Sequence, residues 1–157
     1  MSYNALKGCS SFGTLKFTGV INGLIVQVLV DNGSSDNFLQ PRLDHFLKLP
    51  IEPIPKFQVL VGNGSALVVE ERVSELEVKI QGHVLKLPMY LFDVTGVDLV
   101  LGATWLATIR PHISYYSKLT LKFYLGNQFV TLQGDQPFLP MLAHFHHLRR
   151  MHHTHAI

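Results

Sequence analysis

The chain has 157 residues, enough for one domain with a sizeable core and little beyond it. It is 47% hydrophobic and 15% charged, a balance that excludes wholesale disorder. The net charge of +2 is too weak to argue for a nucleic-acid or membrane partner, although nine histidines could add charge in acid, and no such partner is expected for this domain. The single cysteine, Cys9, excludes an internal disulfide and a cysteine-based zinc knuckle.

Residues 1–12 are small and polar, and read as a flexible N-terminal segment. From Gly13 to Val30 the pattern is strand-like, with Asn22-Gly23 between two apolar runs. Asn-Gly is the favoured pair for a two-residue hairpin turn, because both positions tolerate positive φ. Pro41 suits the first turn of a short helix through about Leu47. Pro50, Pro53 and Pro55 then predict extended or looped chain, and Phe57–Val61 a strand. Gly62-Asn63-Gly64-Ser65 reads as a mobile turn, and Ala66–Ile80 as a long returning strand with polar alternation at Glu75, Glu77 and Lys79. Gln81-Gly82 turns the chain again into a strand from His83 to Val94.

Val97–Leu101 is a buried-looking run that stops at Gly102, and Ala103–Thr108 is the best helix candidate. Leu119–Tyr124 and Gln128–Leu132 predict a last hairpin around Gly126-Asn127. After Gly134 the strand pattern disappears, and the tail rich in Pro, His and Arg reads as a linker or weak helix. The expected class is all-β with short helices, as a small closed barrel. Three parts follow: the flexible segment 1–12, a folded domain 13–134 and a connector 135–157. No apolar run reaches about 18 residues, so no membrane-spanning helix is expected. Met1-Ser2-Tyr3-Asn4 lacks the basic start and apolar stretch of a signal peptide. A soluble, intracellular, cytoplasmic protein is the expectation.

The chemistry centres on Asp31-Asn32-Gly33-Ser34. The apolar, β-branched run Ile25–Val30 ends abruptly on an acid and enters a tight glycine turn. Aspartic proteases present their catalytic group in this way. Peptide hydrolysis needs an activated water and a proton for the leaving amine. Two carboxylates about 3 Å apart share one proton, since both cannot ionise that close. A lone Asp cannot play both parts. Only one Asp-X-Gly-[Ser/Thr/Ala] unit is present, so two chains would each supply an Asp31 across a two-fold axis. Gly33 would let main chain pass close to the partner loop, and Ser34 could hydrogen-bond a carboxylate oxygen. The bare tetrapeptide also suits an ordinary turn.

Taken with its surroundings, the sequence resembles the retropepsin-like proteases of plant gypsy-type retrotransposon polyproteins. Val28–Leu39 resembles the family's catalytic loop and exit strand. Val59-Leu60-Val61-Gly62-Asn63-Gly64 is similar to its glycine-containing flap. Asp98–Leu106 resembles the apolar-Gly segment and helix that pack beneath the active site. Leu119–Phe123 and Val130–Gly134 resemble the closing strands. The resemblance spans about residues 13–134 and rests on order and spacing together.

It implies a homodimeric aspartic endopeptidase that releases proteins from a Gag-Pol precursor, with no cofactor and no metal, acting inside retroelement particles. Asp31 would be the catalytic acid and base. Gly33, Ser35 and Asp36 would grip the substrate, and Gly62, Asn63 and Gly64 would form the flap tip that closes over it. One position departs from the family. Ser or Thr usually stands where this chain has Asn32, and that hydroxyl braces the two acids across the dimer. Asn carries both a donor and an acceptor, so a substitute brace is open to it. The departure also motivates an alternative: a catalytically inactive module of the same fold, serving dimerisation or interaction.

Other residues take plainer readings. The six tail histidines, His144, His146, His147, His152, His153 and His155, and Arg149-Arg150 read as a solvated connector. Trp105 reads as core. Asp98 satisfies a local turn or an arginine, and neither Asp93 nor Asp98 precedes the Gly-[Ser/Thr] of a second catalytic acid. Cys9 reads as inert, and Tyr115-Tyr116 as packing or covering an edge.

Overall fold

A computed structural model of the chain describes residues 14–60, 64–94, 96–109, 111–135 and 149–150. Cys9, the tail histidines, and Gly62 and Asn63 of the expected flap tip therefore lie outside the described residues. The first hairpin joins β1 (Thr14–Ile21) to β2 (Leu24–Asp31). Its turn, Asn22 at φ 48° and Gly23 at φ 85°, has the double positive φ that Asn-Gly predicts. β3 is the two-residue strand Phe38–Leu39. A single 3-10 turn at Pro41–Leu43 then leads into α1 (Asp44–Leu47), which ends on Lys48 in the left-handed region.

β4 (Ile51–Leu60) and β5 (Ala66–Ile80) form a long hairpin, and Gln81-Gly82 turns β5 into β6 (His83–Leu91). β7 (Leu99–Leu101) precedes α2 (Ala103–Thr108). A separate three-stranded sheet holds β8 (His112–Tyr115), β9 (Thr120–Leu125) and β10 (Gln128–Gln133). The larger sheet runs β1-β2-β7-β3-β6-β5-β4, and a pairing of Val20 with Lys79 joins β1 back to β5.

Four expectations need correction. β4 begins at Ile51, not Phe57: the proline φ suits extended chain, and a register shift between Pro53 and Phe57 accommodates the missing donors. β6 stops at Leu91, because Phe92 and Val94 turn into a hydrophobic cluster and the Gln40 side-chain amide binds the Val94 carbonyl. β8 was not expected: His-Ile-Ser-Tyr is only four residues long, and its alternating apolar members, Ile113 and Tyr115, face solvent instead of a core. Arg149–Arg150, expected as linker or weak helix, forms β11, a strand paired with Leu60 and Val59 of β4.

The middle of the larger sheet separates two hydrophobic clusters, and period-two alternation assigns each residue to one. Val28 and Val30 of β2, Leu39 of β3, and Leu99 and Leu101 of β7 join the main core with Phe17, Met89, Trp105 and Phe123. Leu29, Phe38 and Val100 point the other way, to Val59, Val69, Phe92, Val94 and Val97. Coverage on both faces explains why these strands read as unbroken apolar runs. Trp105 is core, as expected, with its ring edge-on to Phe123 at 5.7 Å. No helix among the described residues is long and apolar enough to cross a membrane.

Candidate active site

Among the described residues, the buried polar and charged side chains are Thr14, Asp31, Ser34, Asp36, Asn37 and Gln40. Five lie within ten positions of each other, and Thr14 sits opposite Asp31 in the β1–β2 register. Burying polar groups costs free energy unless each finds partners. Their concentration in one loop therefore marks it as something other than a packing element.

Topology builds the loop. β7 pairs parallel to β2 on one side, Val30 against Leu101, and antiparallel to β3 on the other, Phe38 against Val100. The chain leaving β2 must therefore arch over the end of β7 before returning as β3. Residues 32–37 make that arch, and Gly102, the next residue after β7, lies directly beneath it. The loop is tied down by main-chain donors at the start of α2. Ala103 N–H donates to the Ser34 carbonyl at 2.7 Å, and Thr104 N–H to that of Ser35 at 3.2 Å. Gly102 N–H donates to Asn37 Oδ1 at 2.9 Å, and Asn37 Nδ2 in turn donates to the Pro88 carbonyl. A Cβ on Gly102 would stand 2.5 Å from the Asp36 carbonyl oxygen and 2.6 Å from that of Ser34, so only glycine fits.

Asp31 is fully buried at the end of β2. Its two oxygens are held by its own loop: Gly33 N–H donates to Oδ1 at 2.8 Å and Ser34 Oγ–H to Oδ2 at 3.2 Å. The hydrogen bond anticipated for Ser34 is thus present. A carboxylate held at both oxygens keeps a fixed plane. Ser35 Oγ–H donates to Asp36 Oδ2 at 3.1 Å.

Asn32 is not among these buried side chains. It is exposed and borders a cavity of about 210 Å³ lined also by Ala103, Leu106, Ala107, His112 and Tyr116. Gly64, the described member of the expected flap tip, is exposed at φ 89°, at the head of the β4–β5 hairpin. Asp98 accepts Gln27 N–H at 2.8 Å and pairs with Arg42 at 2.5 Å, the structural role expected of it. Asp93 is exposed. Among the described residues no group of three or more His, Cys, Asp or Glu is placed to hold a metal ion.

Asn37 was not foreseen as a member of the site: it is buried and bridges the loop to β6 and to Gly102. Gly102 lies in the segment expected beneath the active site and is the floor on which the loop rests. The only local signal for Asn37 was its place just before a buried Phe-Leu.

Comparison with known proteins agrees with this geometry. The model of the PEG10/RTL1 protease domain matches residues 27–124, from within β2 to β9. An enzymatic polyprotein of Carnation etched ring virus is 25% identical over 124 residues, 76% of this chain. This chain spans only 18% of that relative's length. The crystal structure of the retroviral protease-like domain of Ddi1 from Leishmania major superposes with a TM-score of 0.61 at 14% identity, covering 80% of this chain and 97% of that one. That likeness establishes the fold. The match of well over half the chain, on the elements that carry Asp31 and Gly102, places this protein in the PEG10/RTL1 protease-domain family, as a retropepsin-like domain of the retroelement-polyprotein kind.

Proposed function

We propose that this chain is an aspartic endopeptidase of a retroelement polyprotein, active as a homodimer in which each copy contributes Asp31. The carrying observation is the buried Asp31 carboxylate, held at one oxygen by Gly33 N–H and at the other by Ser34 Oγ–H. Facing its twin across a two-fold axis, one Asp31 is ionised and the other protonated. The ionised acid takes a proton from water, and the resulting hydroxide attacks the scissile carbonyl carbon. The protonated acid donates to the carbonyl oxygen. Collapse of the tetrahedral intermediate expels the amine, which leaves with a proton from the acid pair. The chemistry requires no cofactor.

The substrate is an extended peptide, with a Gag-Pol type precursor as its natural source. Gly33, Ser35 and Asp36 grip its main chain and side chains, and Gly62, Asn63 and Gly64 close over it. Cleavage of a peptide panel, blocked by a statine-type inhibitor, is the expected result. Asp31→Asn should lower the rate by about 100-fold or more. Cleavage that survives this substitution removes the mechanism.

Asn32 favours a second reading, an inactive relative kept for dimerisation. It is exposed and makes no hydrogen bond among the described residues, where a hydroxyl brace is usual. On that reading Asn32→Thr raises activity or dimer content. A native protein that already cleaves as fast as the variant rules it out.

A further inference from the structure

We infer that the outer edge of β4 is a strand-docking site, where the chain's own tail at Arg149–Arg150 lies in the place of an extended peptide substrate and competes with it. The inference rests on the peptidase reading above and adds to it a tethered competitor. Its starting point is β11. Arg149 pairs antiparallel with Leu60, and Arg150 with Val59. β4 is otherwise the last strand of the larger sheet, with β5 on its other side. An edge strand turns main-chain N–H and C=O groups outward, and an extended segment laid alongside satisfies them.

Position gives this edge its meaning. Leu60 is the final residue of β4, and the expected flap tip follows almost at once. Val59 is wholly buried, in one hydrophobic cluster with Leu29, Phe38 and Val100. Leu29 stands near the end of β2 that carries Asp31, Phe38 opens β3 just after the arch, and Val100 stands on β7 near Gly102. Through Val59, the docked edge is therefore anchored to all three strands that build the loop presenting Asp31. Ile51, at the far end of β4, packs instead against the main core.

The pairing belongs to the main chain. The sequence around Arg149–Arg150 carries no strand pattern of its own, so these residues are a strand because β4 offers them an edge. Main-chain pairing of this kind accepts any extended peptide, and side chains set only the preference. Two segments cannot hold the same two residues of β4 at once, so tail and substrate exclude each other. Among the described residues two pairs hold the tail, which suits an occupant that can be displaced. Carried on the same chain, it meets the edge at an effective concentration that dilution does not lower.

The test uses the full chain with Arg149→Pro and Arg150→Pro combined. In an antiparallel pair, hydrogen-bonded and non-bonded residues alternate, so one of these two turns its N–H to β4. Proline has no N–H, and replacing both residues removes the donor whichever supplies it. Amide hydrogen exchange at Val59 or Leu60, whichever faces β11, should speed up about fivefold or more. A fluorescent statine-type peptide should bind the proline variant about fivefold more tightly than the native chain, and KM for a cleaved peptide should fall in step with kcat unchanged. Arg149→Ala with Arg150→Ala keeps both N–H groups and should stay near native in every reading. An alanine pair that matches the proline pair assigns the effect to charge and overturns main-chain docking. Exchange unaffected by the prolines overturns it too. Faster exchange with unchanged peptide affinity means that tail and substrate do not share the edge, and overturns the competition. Tighter peptide binding by a chain that cleaves nothing removes the peptidase reading and leaves the docking site standing.

Discussion

A methyl group at position 102 would collide with two main-chain carbonyls of the loop that presents Asp31, those of Ser34 and Asp36. Backbone at both contacts leaves no flexible side chain to give way. Gly102→Ala is therefore expected to lose about 3 kcal/mol in urea unfolding, together with peptidase activity. Ser34→Ala is a gentler change. It removes the hydroxyl on Asp31 Oδ2 and should cost about 1–2 kcal/mol while leaving the fold intact. A larger fall in cleavage rate than in stability would mark the hydroxyl as positioning the acid. Asp31 was legible because it ends an apolar strand, and Asp98 because no glycine turn follows it. The bond between Asn37 and Gly102 was not, since it spans 65 positions and depends on β7 passing under the loop.

Elements whose identity is set locally matched their sequence signals. Ala66–Ile80 and Ala103–Thr108 have the bounds expected of them, and the Asn22-Gly23 and Gln81-Gly82 turns adopt the required positive φ. Failures arose where a neighbour decides. β4 extends through two prolines because β5 is there to pair with, and β8 exists because β9 offers an edge to a segment with weak strand signals of its own. Two predictions belong here. Lys48, exposed, ends α1 at φ 49°, where a side chain is strained; Lys48→Gly should stabilise by about 0.5–1 kcal/mol in thermal unfolding. Asp98 joins β2 to the turn after β3 through Gln27 N–H and Arg42. Asp98→Ala strands a main-chain donor and should cost about 1–2 kcal/mol. Arg42→Ala should cost much less, because Arg42 is mostly exposed.

At the scale of the whole molecule, strand order was beyond the sequence. Nothing in the residues of β7 says that β2 and β3 flank it, yet that arrangement creates the arch. The two-chain mechanism has a kinetic signature: below the dimer dissociation constant, cleavage rate should rise with the square of protein concentration, and above it linearly. A linear rate throughout, in a protein that sediments as a monomer, would assign the chemistry to a single chain. Gly102 finally bears on heredity. A missense change at the first or second base of its codon installs a side chain that the arch above cannot admit. Where an element is present in many genomic copies that drift independently, this codon is a tripwire. Copies that have lost it should encode protein that misfolds, whatever the state of Asp31, and sequencing them beside expression trials would sort intact genes from relics.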